Sequence, residues 1–469
     1  MSIASPAFLA VVFPAILVFV VLARGRRGAT AAEYALCLAS LAFYAIEQAA
    51  HLPLLLVSIL LNWRVARSIS AEDIQTHRKR ILIGAISANV LVLAFFKYVH
   101  LVPFAESIPE TLRSPRFPLG LSFFTLTQVM FLVDVYEKLI SPPPLRSFVA
   151  FVSFFPTITA GPLLRYRRFA AELPNLAGAT EIGTRIAQGG MLVLMGVAKK
   201  VVIADSVAFV TNRGYESLHE LGTVDAWITG TAYALQMYFD FSGYSDIAFG
   251  LAFILGVEIV QNFNSPFRAP NLSNFWQRWH ISLSSFITTY LYTPVLKSLG
   301  RPTLATSAIA TLLAMTIAGL WHGATVPFVL FYVLHGSGLA VFQYWKRSKR
   351  RMPEFAAVSL TLAFCIATFA VSRAPGLSGV GTIVSAMFLP SAGAADFALL
   401  GGLRPIDLQY VAVPCALAPI LALVGPTSWE LAQRFRPGLP TVFVAGAVAA
   451  ACALFVITGV PSGFIYRTF

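Results

Sequence analysis

Apolar residues run through this chain from one end to the other in long stretches separated by short polar breaks. A helix that crosses a bilayer needs about 20 mostly apolar residues. Segments of that kind are predicted near Pro6–Leu22, Ala31–Ala45, Leu52–Trp63, Ile81–Pro103, Pro118–Val135, Phe148–Pro162, Gly189–Val210 and Trp227–Val260. They continue near Ile281–Leu299, Leu304–Leu320, Pro327–Trp345, Ala356–Val371, Leu408–Val424 and Val442–Val460. Several are short or interrupted by Pro or Gly and read as half-spans or re-entrant pieces. Such broken backbone is tolerated at membrane depth only where protein or a cavity surrounds it. Segment lengths predict about eleven full crossings with a few partial ones. Nothing repeats with a period of about 20–50 residues, which argues against a solenoid, and the halves lack the mutual likeness many transporters carry. The expected fold is an all-α polytopic membrane protein forming one membrane-embedded domain over 1–469. Its N-terminal helices lie in 1–110, its motif-bearing core in 117–345, and its C-terminal helices and tail in 354–469.

Composition strengthens this reading. Of 469 residues, 57% are hydrophobic and only 12% are charged, and the mean hydropathy is +0.74. A soluble domain carries about a quarter charged residues. The net charge of +13 would suit a nucleic-acid partner, but the basic residues sit between apolar runs, at Arg24–Arg27, Arg64–Arg80, Arg165–Arg168 and Lys346–Arg351. That is the placement of retained cytoplasmic loops, and no long basic face or aromatic-interleaved patch accompanies it. A basic cluster follows the first apolar segment and none precedes it, which fits a signal anchor better than a cleaved signal peptide. Placing these clusters inside puts both termini outside, together with the Gly-, Ala- and Pro-rich stretch Ala374–Ile406. The cysteines (Cys37, Cys365, Cys415, Cys452) stand singly in apolar runs, without the paired spacing of metal or redox motifs.

The polar residues within this apolar background carry the chemistry. Between 240 and 293 the chain reads Asp240-Phe-Ser-Gly-Tyr-Ser-Asp246, then Asn262-Phe-Asn-Ser-Pro-Phe-Arg268, then Asn274-Phe-Trp-Gln-Arg-Trp-His280. Ionisable groups at membrane depth are expensive and face a cavity or a partner. Trp276, Trp279, His280 and Leu283 follow i, i+3, i+4, i+7 spacing and are predicted to share one helical face, with Gln277 and Arg278 pointing elsewhere. Spacing alone also fits an interfacial aromatic belt with His280 as a structural histidine. A second feature is Ala318-Gly-Leu-Trp321-His322-Gly323-Ala324. Small neighbours permit close approach to the imidazole, and a pKa near 6.5 suits general-base work. A helix-packing histidine bonded to a carbonyl fits the same spacing. His335 lies thirteen residues on, about 220° round an ideal helix, and is read as structural. No HExxH pair, GxSxG elbow or Walker loop is present, so no metal site is expected.

Taken in order, several stretches resemble the membrane-bound O-acyltransferase (MBOAT) family, in its bacterial alginate O-acetyltransferase-like branch. They are Phe117-Pro-Leu-Gly-Leu-Ser-Phe-Phe124, Leu132-Val-Asp-Val-Tyr136, Phe154-Phe-Pro-Thr-Ile-Thr-Ala-Gly-Pro-Leu-Leu-Arg165 and Gly196-Val-Ala-Lys-Lys-Val-Val-Ile-Ala-Asp205. The Asp240–Pro294 block, Trp321-His-Gly-Ala324, Ser372-Arg-Ala374 and the tail Pro461-Ser-Gly-Phe-Ile-Tyr466-Arg-Thr-Phe469 complete the set. The resemblance implies a helical core around a polar funnel. His322 would be the catalytic histidine, His280 a second histidine lining the funnel, and Tyr466 an acyl relay. The donor would be acetyl-CoA from the cytoplasm, with no bound cofactor. Arg165, Arg168, Lys199 or Lys200 would hold its phosphates. Asn264, Arg278, His280 or a backbone N–H near Gly323 would meet the tetrahedral oxyanion, and Trp279, Trp321 and Asp240 are further candidates for substrate or donor contacts. The acceptor would be an extracytoplasmic polysaccharide, reached through an SGNH-type acetyltransferase partner outside a bacterial inner membrane. The chain departs from the family pattern at Thr288-Thr289, where relatives carry an Arg–Asp pair, and at Arg467-Thr468. A D-alanyl-type transfer from a carrier-protein thioester and a non-enzymatic transporter or flippase are the alternatives.

Overall fold

The structure, a computed structural model, describes residues 3–101, 115–178, 182–323, 325–389, 405–436 and 438–458. Among these residues the ordered elements are helices, without a strand. The chain divides into two compact units, one of Met1–Val193 with Ile247–Val260 and one of Leu194–Asp246 with Gln261–Phe469.

The first unit opens with helices Phe13–Gln48, Leu52–Ala71 and Gln75–Tyr98. The first of these breaks at Gly28 (φ 78°, ψ −171°), a conformation that only glycine adopts without strain. The continuous run Phe8–Ala71 is 64 residues long, more than one crossing requires. Polar side chains fasten the second and third helices to Leu121–Tyr136. Ser58 Oγ donates to Gln128 Oε1 at 2.8 Å, Asn89 Nδ2 donates to Asn62 Oδ1 at 2.8 Å, and Asn62 Nδ2 donates to Gln128 Oε1. Such bonds hold helices together where lipid supplies no hydrophobic drive for association. The predicted segment Phe148–Pro162 divides at Phe154 into the short helices Leu145–Ser153 and Phe155–Ile158.

The second unit contains the hairpin of Leu304–His322 and Val326–Arg347, followed by Glu354–Arg373. A capping box between Thr303 and Thr306 starts the first of these helices. The predicted segment Ile281–Leu299 forms three pieces: helix Ile281–Phe286, a π-helical stretch Ile287–Tyr292 and helix Thr293–Ser298. The stretch read as an exterior connection from Ala374 onward begins with a helix, Gly376–Phe388, which packs its buried Ile383 and Met387 with Leu218, Leu221 and Ala370. Large apolar side chains face outward, among them Phe443 (79% exposed) and Val341 (68%), as lipid-facing helices require.

By length and composition, six of the described helical runs could cross a membrane. A seventh is possible if Val411–Val424 and Ser428–Arg434, bent by 77°, count as one. The helical multi-pass character expected from the sequence is thus present; the figure of about eleven crossings is not matched by these runs, one of which holds 64 residues.

Candidate active site

His322 is the last residue of helix Leu304–His322 and is 2% exposed. Its imidazole is enclosed by aromatic rings: Tyr332 stacks on it at 5.1 Å and 25°, Phe328 lies at 5.3 Å, and half-buried Trp321 stands edge-on at 4.5 Å. Gly319, one turn earlier, makes the stacking possible. A Cβ there would lie 2.9 Å from Tyr332 Cβ and 3.3 Å from Val329 Cα, so the two helices of the hairpin cross at their closest tolerable approach.

His280 sits where two short helices meet, Leu272–Arg278 and Ile281–Phe286. Its φ of 44° and ψ of 54° lie in the left-handed region, a strained choice for a residue with a Cβ. The sequence predicted one helical face carrying Trp276, Trp279, His280 and Leu283; the structure breaks the helix between them. The cause is a non-local pairing: Asn264 N–H donates to Arg278 O and Ile281 N–H donates to Asn262 O, both at 2.9 Å. These bonds turn the chain at 279–280. The turn aims the His280 ring at the edge of Phe241 (4.6 Å) and places it 6.5 Å from the His322 ring. His280 is 1% exposed, and burial holds its imidazole below the ordinary pKa, favouring the neutral ring.

Trp276 and Trp279 separate in role. Trp279 is packed among Phe263, Phe275 and Phe369 at 5.0–5.6 Å. Trp276 donates its indole N–H to His335 Nδ1 at 3.2 Å and lies 5.6 Å from Tyr332. His335 Nε2 bonds Thr368 Oγ1 at 2.9 Å. Both nitrogens of His335 are thereby engaged, in agreement with a structural role. It belongs to the helix after the one that ends at His322.

The charged candidates fall into separate groups. Lys200 Nζ bridges Asp205 Oδ1 (2.8 Å) and Asp240 Oδ1 (2.7 Å), and Lys199 Nζ meets Asp246 Oδ2 (2.7 Å), which also accepts from Ser428 Oγ (2.6 Å). Both lysines lie in the π-helical stretch Lys199–Ala204. Desolvated charges of this kind persist because each has its counter-charge. Arg278 donates from Nε to Asn274 Oδ1 at 2.7 Å and from Nη1 to the carbonyl of the exposed Asn264 at 3.4 Å. Arg165 occupies the position just before helix Tyr166–Glu172 in the first unit, where Arg168 bonds Glu258. Tyr466 lies outside the described residues.

A cavity of about 230 Å³ opens beside Trp276. Ser273, Ser284, Thr288, Tyr292, Thr311 and Gln343 supply its polar groups, Met315 and Leu339 part of its apolar wall, and among the described residues none of its lining side chains is charged. Gln343 Nε2 donates to Thr311 Oγ1 at 2.9 Å. From this wall two rings, Trp276 and Tyr332, lead to His322. Sequence reasoning missed Tyr332, which carries no local signal, and Asn262, which stood inside a quoted motif without being singled out.

Comparison with known proteins follows the same lines. The family described as "MBOAT, membrane-bound O-acyltransferase family" matches residues 41–357. The peptidoglycan O-acetyltransferase of Helicobacter pylori is 33% identical over 386 residues, covering 75% of this chain and 73% of that protein. The probable alginate O-acetylase AlgI of Pseudomonas syringae pv. tomato is 31% identical over 373 residues, covering 75% and 69%. The teichoic acid D-alanyltransferase of Bacillus subtilis is 27% identical over 288 residues, covering 58% and 71%.

Proposed function

The chain belongs to the membrane-bound O-acyltransferase family, and we propose that it moves an acetyl group from cytoplasmic acetyl-CoA across the membrane for O-acetylation of an extracytoplasmic polysaccharide. The observation that carries this reading is the pair of buried imidazoles, His322 and His280, 6.5 Å apart in an aromatic enclosure. Two relatives above 30% identity bear names that describe O-acetyl transfer to peptidoglycan or alginate.

In this proposal His322 is the general base. It takes the proton of the acceptor hydroxyl as that oxygen attacks the thioester carbonyl. The tetrahedral oxyanion then collapses, the carbon–sulfur bond breaks, and the thiolate leaves and recovers a proton. A dry site strengthens every donor aimed at the oxyanion; Arg278 and a backbone N–H near Gly323 are the candidates, whereas the exposed Asn264 would not gain from it. The uncharged cavity beside Trp276 suits the neutral, amide-bearing arm that precedes the thioester in coenzyme A. Lys199 and Lys200 are engaged by carboxylates, as Arg168 is by Glu258, so any of the three would have to give up an ion pair to take the donor's phosphates. Tyr466 is proposed as the acyl relay at the exit: an aryl ester stays activated because phenolate leaves more readily than an alkoxide. An SGNH-type partner would then pass the acetyl group to the glycan outside a bacterial inner membrane, with both termini of the chain on that outer side.

The test is thiol release from acetyl-CoA by purified protein, with acetylation of the cell's glycan as the second readout. His322→Ala should lower both by about 100-fold or more while the protein stays folded and inserted; full activity in that variant removes the central role. The second reading is D-alanyl-type transfer from a carrier-protein thioester; a relative named for D-alanyl transfer, at 27% identity, is what stands behind it. Absence of thiol release from acetyl-CoA, with turnover of a carrier-bound acyl group, would select it.

A further inference from the structure

Asn262 approaches His280 with both its backbone and its side chain. Its carbonyl accepts from Ile281 N–H, and its side-chain Oδ1 lies 3.1 Å from Ser282 N, 2.9 Å from Ser282 Oγ and 3.3 Å from His280 Nδ1. Its Nδ2 donates to Ser245 Oγ at 3.3 Å. Asn262 and His280 are 2% and 1% exposed, so water does not compete for these bonds.

The orientation of the amide follows from the backbone. The peptide N–H of Ser282 can only donate, so the atom facing it must be the oxygen of Asn262 and not its NH₂. That oxygen can only accept. His280 Nδ1 faces it at hydrogen-bonding distance and must therefore carry the proton, because two lone pairs would repel. In a neutral imidazole the other nitrogen, Nε2, then holds the lone pair. The same logic gives the opposite result at His335. Trp276 Nε1–H can only donate, so His335 Nδ1 accepts and Nε2 carries the proton, donated to Thr368 Oγ1. Thr368 Oγ1 in turn donates to the carbonyl of Phe364 or Cys365.

We propose that Asn262 is a positioning residue that locks His280 in its Nδ1–H tautomer, so that Nε2 receives a proton during acyl transfer and does not donate to the oxyanion. This rests on the acyl-transfer reading above and deepens it by dividing the roles of the two histidines. In the step itself, the acceptor O–H bond breaks as His322 takes the proton, and that one proton is handed on: its bond to His322 breaks as a bond to His280 Nε2 forms. The resulting imidazolium is held by the existing Nδ1–H···Oδ1 bond, which strengthens as the ring becomes charged. The proton then leaves with the thiolate sulfur. The left-handed backbone at His280 fits this assignment: the strain is tolerated where Asn262 fixes the turn from both sides.

The experiment is ¹⁵N solid-state NMR of the full chain in lipid bilayers, labelled at histidine and without substrate. His280 is assigned by difference with His280→Gln, and His335 serves as the internal reference. The expected spectrum shows His280 protonated at Nδ1 and His335 protonated at Nε2. Asn262→Leu should abolish the Nδ1–H pattern and lower kcat 10-fold or more with KM for acetyl-CoA unchanged, whereas Asn262→Asp, which keeps an accepting oxygen, should restore the tautomer. Wild-type His280 protonated at Nε2, or a tautomer indifferent to Asn262→Leu, overturns the proposal. The tautomer is read without turnover, so a failure of acetyl-CoA chemistry would count against the functional reading and leave this assignment standing.

Discussion

The rings of His280 and His322 lie 6.5 Å apart at 68° to one another, although they stand 42 positions apart in the sequence. One comes from a strained turn and the other from the end of a long helix. Groups that act on one reaction as a unit lose activity non-additively. His322→Ala should lower acetyl-CoA-dependent thiol release by about 100- to 10,000-fold, the range of general acid–base catalysis. Adding His280→Ala to that variant should lower it little further. Multiplicative losses in the double variant would show that the two act independently.

Gly319 tests how tightly His322 is held. Gly319→Ala inserts a methyl group 2.9 Å from Tyr332 Cβ, an overpacking that costs about 1–3 kcal/mol. The helices must part, and Tyr332 must slide off the imidazole. Activity per inserted molecule should fall about 10-fold or more, the equivalent of about 1.4 kcal/mol, and the melting temperature in detergent should drop. Unchanged activity would mean that the stacked ring does not set the position of His322.

Lys200 distinguishes a structural cation from one that grips the donor. Removing one partner of a buried ion pair costs about 3–5 kcal/mol because a buried charge is left behind. Lys200→Met should therefore destabilise the protein strongly, and Lys200→Met combined with Asp240→Leu should recover part of the loss. A higher KM for acetyl-CoA with unchanged thermal stability would instead assign Lys200 to the donor.

Thr288 is exposed and lines the uncharged cavity. Thr288→Trp should narrow that space without disturbing the core. KM for acetyl-CoA is expected to rise about 10-fold, a loss of about 1.4 kcal/mol in binding, with thermal stability unchanged. Donor kinetics identical to the wild type would place the thioester arm elsewhere.

Much of this was legible in the chain itself. Apolar runs indicated the membrane character, and Pro156 stands beside the division at Phe154; the π-helical stretch from Ile287 has no Pro or Gly next to it and carried no local signal. His322 and His280 stood out as polar residues in apolar surroundings. The shared face of Trp276, Trp279 and His280 did not survive, since i, i+3, i+4 spacing carries no information about Asn262 and Asn264 pairing with the turn from outside the helix. The role of Lys199 was hidden for the same reason: Asp246 lies 47 positions from it, beyond any local pattern. Which nitrogen of a histidine carries the proton cannot be read from sequence, because it depends on the atom facing it.

The lysine–carboxylate cluster also bears on how the protein meets its ionic surroundings. Lys199 and Lys200 contribute +2 and Asp205, Asp240 and Asp246 contribute −3, so the cluster sums to −1 within a chain whose total is +13. The positive surplus therefore resides outside this cluster, where dissolved salt can screen it, while the buried pairs are screened far less. Raising ionic strength should weaken the encounter with a polyanionic donor and leave the fold around Lys200 intact.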